Sequence, residues 1–155
     1  MRKIIRNLLN RQGYDIIKKP YTGGKYPNLS ESKTNYYCET PIGNYYLPII
    51  GLEKDAVTNT MVRGKYFEPE IIEVARQYIL EGTSVLDIGA NFGQMSIEFS
   101  KLVGSSGKVY AFEAQEMVFK YLQKNIIANK CKDNVRWFNK AVWNKNNKIV
   151  SFKST

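Results

Sequence analysis

Val85-Leu86-Asp87-Ile88-Gly89-Ala90-Asn91-Phe92-Gly93 is an apolar run closed by an acidic residue, then two glycines four positions apart, with helix-forming sequence from Gln94 onward. A buried strand that breaks into a glycine turn and then a helix is how an open parallel sheet presents a ligand site at its carboxyl edge. Gly89 lets the backbone approach a ligand with no Cβ between them, and Gly93 lets the helix start tight against the sheet. Twenty positions further, the apolar stretch Lys108-Val109-Tyr110-Ala111-Phe112 ends in Glu113, where Rossmann-like sites hold a ribose through its hydroxyls. Asp87 and Glu113 are therefore expected at one crevice. Their bland alternative is a helix-capping aspartate and a solvated strand end.

The flanking sequence repeats the same alternation. A helix is expected from Pro69 to Glu81, with proline at its first position, Ile71, Ile72, Ala75, Tyr78 and Ile79 as its apolar face, and Gly82 after its end. Then come a buried strand over Ser84–Ile88, a helix over Gln94–Val103, a strand over Lys108–Glu113, a helix over Val118–Asn129 and a strand over Val135–Val142. Such alternation predicts a parallel sheet with right-handed crossovers, an α/β fold. Upstream, Lys18–Ser32 reads as a loop. Tyr36–Thr40 and Asn44–Leu47 form a hairpin around Pro41-Ile42-Gly43, and Lys148–Phe152 is a last extended piece that returns on the preceding strand.

Charge decides which nucleotide suits the turn. A dinucleotide needs Gly-x-Gly-x-x-Gly above a helix N-terminus for its pyrophosphate, whereas this turn has only Gly89 and Gly93 with a carboxylate just before them. S-adenosylmethionine has no phosphate and carries a sulfonium and an ammonium, which an acidic lining attracts. Gly104-Ser105-Ser106-Gly107-Lys108 is no Walker loop, because Leu102 stands at its first glycine position and Val109 follows the lysine.

The pair of motifs, Asp87-Ile88-Gly89-Ala90-Asn91-Phe92-Gly93 and Ala111-Phe112-Glu113-Ala114, resembles the FkbM family of S-adenosylmethionine-dependent methyltransferases over roughly Tyr66 to Phe152. The resemblance implies a Rossmann-like class I methyltransferase fold and methylation of a hydroxyl on a sugar, a cell-surface molecule or a secondary metabolite. It implies that Asp87, Gly89, Ala90, Asn91 and Gly93 surround the methionine part of S-adenosyl-L-methionine, Glu113 the ribose, and Ala114, Gln115, Ala141 and Val142 the adenine. The family often has Glu-Pro where this chain has Glu113-Ala114. It also implies a seven-stranded sheet of which this sequence carries only the first three strands, so the fold is expected to be truncated after the third, with an unpaired edge on the first. Residues 1–65 then form an N-terminal extension of basic helix, loop and hairpin, and residues 66–155 a partial methyltransferase domain.

The remaining composition narrows the classes. The 155 residues suffice for one modest core. A net charge of +9 favours anionic partners, yet no basic groove pattern accompanies the tyrosines, which reads against nucleic acid. The chain has no histidine, the commonest general base, so no catalytic residue is assigned. Cys38 and Cys131 lack metal-ligand spacing and fit two reduced thiols of a cytoplasmic protein, with no metal. Ile4, Ile5, Leu8 and Leu9 mark a short basic amphipathic helix that packs on its own protein or makes weak contact with a membrane surface; no run is long enough to span one. The expected partner is a small-molecule or glycan acceptor. A second expectation is a non-catalytic cofactor-binding or assembly module that pairs through its exposed strand edge.

Overall fold

The computed structural model describes residues 29–31, 35–48, 55–144 and 151. The expected helix around Ile4 lies outside them, as does the strand over Lys148–Phe152 apart from Ser151. The first three strands, β1 (Leu29–Glu31), β2 (Asn35–Thr40) and β3 (Gly43–Pro48), make an antiparallel sheet in that order, β1 taking three residues expected to be loop. Period-two alternation sets its inner face: Tyr36 pairs with Leu47 and Cys38 with Tyr45, and all four are buried. Tyr36 and Tyr45 are thus core residues with no face left for a base. Both cysteines are free and buried, and burial raises the thiol of Cys38 to about 11 and that of Cys131 above its ordinary value.

Helix α1 (Ala56–Val62) was not foreseen, although its signal is present. Asp55 caps it, accepting from the amides of Val57 and Thr58 at 3.1 Å, and Gly64 follows it at φ 69°. Helix α2 (Pro69–Tyr78) starts at its proline as expected but stops three residues early, where Ile79 turns to extended backbone. Only Ile72 and Ala75 of its apolar set are buried; Ile71 and Tyr78 face outward, because a helix that packs mainly on α3 (Gln94–Val103) buries a single narrow stripe.

The second sheet holds β4 (Ser84–Ile88), β5 (Lys108–Phe112) and β6 (Val135–Phe138), all parallel and in that order, with α3 and α4 (Glu116–Ala128) as the crossovers. One face is covered: Val109, Ala111 and Val135 meet Ile97 and Val103 of α3 and Leu122 and Ile126 of α4 in a core that also includes Tyr45, Leu47 and Met61. β4 is not the fully buried strand expected from its sequence. Leu86 is 63% and Ile88 59% exposed, because alternate side chains of β4 point to the face that no described helix covers. Phe112 and Phe138 stack on that face with centroids 4.9 Å apart. β4 is an edge among the described residues. β6 ends at Phe138 rather than Val142, since the last ladder bond, from the Glu113 amide to the Phe138 carbonyl, is followed by Asn139, whose side chain crosses to the carbonyls of Glu113 and Ala114.

Candidate cofactor site

The turn after β4 is built by backbone that only certain residues tolerate. Gly89, Asn91 and Gly93 have φ of 81°, 49° and 88°, the left-handed region that glycine enters freely and asparagine more readily than most. The amides of Gly89 and Ala90 both donate to the Phe112 carbonyl at 2.9 Å, which ties the turn to the end of β5. The two glycines do different work. Nothing lies within 4 Å of where a Cβ on Gly89 would stand, so open space adjoins the backbone there, whereas a Cβ on Gly93 would meet Leu122 Cδ1 at 2.6 Å.

Glu113 stands at the far side of this turn. One carboxylate oxygen accepts from the Asn91 amide at 3.0 Å and the other from the Gln115 amide at 2.8 Å, so the side chain is held across the mouth of the turn rather than left in solvent. Each oxygen retains a further lone pair for a ligand hydroxyl. Asp87 is tied to the helix that follows: it is 9% exposed and accepts from the Ser96 hydroxyl in the first turn of α3. Burial raises its pKa, the Ser96 bonds oppose that, and the Glu113 carboxylate adds to it.

A carboxylate whose folded pKa lies above its unfolded one costs the fold nothing while protonated in both states, and the cost grows as pH rises from about 4 through the folded value. Asp87→Asn is therefore expected to melt no lower than the wild type at pH 7, any advantage shrinking as pH falls toward about 4. Thermal denaturation across this range is the check, and a variant clearly less stable at pH 7 would show that the Ser96 bond outweighs burial.

Of the residues singled out from the sequence, Asp87, Gly89, Ala90, Asn91, Gly93, Glu113, Ala114 and Gln115 lie on the two adjoining strand ends and turns. Ala141 and Val142 lie beyond β6, exposed and in no strand, and it is Asn139, ahead of them in sequence, that bonds to the carbonyls of Glu113 and Ala114. Three side chains in this region went unread: Ser96, Asn139 and Asn125. Asn125 is fully buried in α4 and donates to the Phe92 carbonyl of the turn at 2.9 Å. An asparagine between Leu122 and Ile126 on an apolar helix stripe was the available signal, since such a group is buried only when its hydrogen bonds are met. Among the described residues no three His, Cys, Asp or Glu side chains gather as a metal site, and no helix is long and apolar enough to cross a membrane.

No family model matches the chain. Over 58 residues it is 34% identical to "Probable cobalt-precorrin-6B C(15)-methyltransferase (decarboxylating)" of Saccharolobus solfataricus, covering 37% of this chain and 29% of that protein. Its structure superposes on a Pyrococcus horikoshii protein assigned as a transferase with a TM-score of 0.50 and 22% identity, covering 71% of this chain and 37% of that one. The fold shared with it is the Rossmann-like α/β arrangement of parallel strands joined by helices. A SAM-dependent methyltransferase of Aquifex aeolicus is 34% identical over 54% of this chain and 41% of its own, at a TM-score of 0.40. The matched stretch is thus similar to part of a methyltransferase sequence. The chain spans less than half the length of each of these relatives.

The geometry is compatible with S-adenosylmethionine, the cofactor expected from the sequence. The open space at Gly89 admits a ligand against the backbone, and Glu113 is already oriented across it. The Asp87 carboxylate, bonded to the Ser96 hydroxyl, puts an acidic group beside the first turn of α3, which opposes a pyrophosphate there.

Proposed function

We propose that this chain is the cofactor-binding part of an FkbM-type methyltransferase that methylates a hydroxyl of a glycan or similar small acceptor in the cytoplasm. One observation carries the reading: the Glu113 carboxylate, held by the Asn91 and Gln115 amides, faces an open glycine turn, with the Asp87 carboxylate beside the first turn of the helix that follows. That arrangement suits a ribose and a cation and opposes a phosphate. S-adenosylmethionine, when bound, supplies a methyl group on a positively charged sulfur. The chain's own part is to hold and orient: Asp87, Gly89, Ala90, Asn91 and Gly93 line the methionine side, Glu113 the ribose, and Ala114, Gln115, Ala141 and Val142 the adenine side. No side chain is assigned to deprotonate the acceptor.

Isothermal titration with S-adenosylhomocysteine tests this. Saturable one-to-one binding is expected, and no measurable affinity would sink it. A second reading, an assembly module, is favoured by the exposed Leu86 and Ile88 on an edge strand. A solution mass equal to a lone 155-residue chain at every concentration would count against it.

A further inference from the structure

Helix α4 carries Asn125 and Asn129 one turn apart, and together they act as a strand partner for the outer edge of β3. The Asn129 side chain accepts from the Asn44 amide at 2.9 Å and donates to the Asn44 carbonyl at 2.6 Å. Asn125 accepts from the Tyr46 amide at 2.6 Å and donates to the Tyr46 carbonyl at 3.2 Å. The spacing works because residues four apart on a helix lie about 6 Å apart, close to the rise of two residues along a strand. The open backbone groups of an edge strand are thereby satisfied without another strand.

The two asparagines differ in where the second amide hydrogen goes. Asn129 donates it within the helix, to the Asn125 carbonyl at 2.8 Å, whereas Asn125 donates it to the Phe92 carbonyl in the glycine turn. A parallel path runs through rings: Lys124 stands 5.7 Å from the centroids of both Tyr46 and Tyr121, and Tyr121 meets Phe92 edge-on at 5.9 Å. Phe92 sits between Asn91, whose amide binds Glu113, and Gly93, which begins α3. The N-terminal hairpin is thus joined to the middle of the turn rather than to the sheet alone.

We infer that Asn125 is a positioning residue for the cofactor, fixing the Asn91–Gly93 turn and so the Asn91–Glu113 contact by clamping Phe92 to β3. This rests on the cofactor reading above. Asn125→Asp keeps an acceptor for Tyr46 but loses both donated bonds and places a carboxylate against two carbonyls. Asn125→Ser, a milder change, leaves one hydroxyl for three partners. Asn129→Ala removes the hairpin clamp without touching the turn.

The test compares S-adenosylhomocysteine affinity with melting temperature for all four proteins. Asn125→Asp is expected to weaken binding by about tenfold or more, as for a buried group left unsatisfied. Asn125→Ser should weaken it less, while Asn129→Ala lowers the melting temperature and leaves affinity within twofold of wild type. If Asn125→Asp does not fold, the affinity of Asn125→Ser relative to Asn129→Ala decides. Wild-type binding with equal affinity in the Asn125 variants, or affinity loss in Asn129→Ala as large as in them, overturns the inference and leaves the cofactor reading standing. No binding by wild type removes that reading first, and the inference with it.

Discussion

Gly93→Ala is expected to cost the fold about 2–5 kcal/mol, a large share of the ~5–15 kcal/mol that holds a domain together. Two independent costs combine. The backbone at φ 88° admits a side chain only with about 1–2 kcal/mol of strain, and the new methyl would stand 2.6 Å from Leu122 Cδ1. Leu122 is fully buried between α4 and the sheet, so making room for the methyl means overpacking, typically about 1–3 kcal/mol. A fall in melting temperature on the order of 5–15 °C is the expected reading for a chain of this size. Gly89→Ala is the informative contrast. Its φ of 81° imposes similar strain, but its Cβ would meet nothing within 4 Å. That variant should lose only about 1–2 kcal/mol of stability, with its larger effect on ligand binding. Equal melting temperatures for Gly93→Ala and wild type would mean that helix α3 does not depend on its close start against Leu122.

Glu113→Ala is expected to weaken S-adenosylhomocysteine by about 100-fold or more. Hydrogen bonds from ribose hydroxyls to a carboxylate are charge-assisted and worth roughly 1.5–3 kcal/mol each, and two of them compound. The truncation also frees the Asn91 and Gln115 amides that now orient the turn. Glu113→Gln retains acceptor oxygen on a side chain of equal length and should lose about tenfold, since one oxygen becomes a donor that repels an amide hydrogen. Titration calorimetry separates the two variants. Binding by Glu113→Ala within about threefold of wild type would mean that Glu113 serves the turn and not the ligand.

Much of this site is legible in the sequence. Helix α3 occupies Gln94–Val103 as expected, because a glycine turn before it, a glycine after it and an apolar stripe between them are all local signals. The juxtaposition of β4 and β5, and with it the proximity of Asp87 to Glu113, followed from the rule that consecutive strands joined by a helix lie parallel and adjacent. The two partners of Glu113 were not legible. They are backbone amides, which every residue but proline carries, so no residue type marks them.

Asn125 shows the other limit. Its hydrogen bonds reach Tyr46 and Phe92, 79 and 33 positions away, and nothing in helical periodicity identifies which distant carbonyl an amide will meet. Leu86 and Ile88 show a third. An apolar run predicts burial, but whether a strand is covered on one face or two depends on which helices lie against it, and here α3 and α4 cover only one.

Residue pattern alone thus determined the strand–turn–helix unit, the glycines that its backbone angles require and the acidic character of its two strand ends, because each depends on neighbours a few positions away. Only the tertiary structure decided that Asp87 turns to Ser96, that Glu113 reaches back to Asn91, and that the hairpin is bound through Asn125 to the same turn. Those contacts arise because burying the shared core leaves specific backbone groups without water, and each must find its partner among whatever side chains the packing brings near.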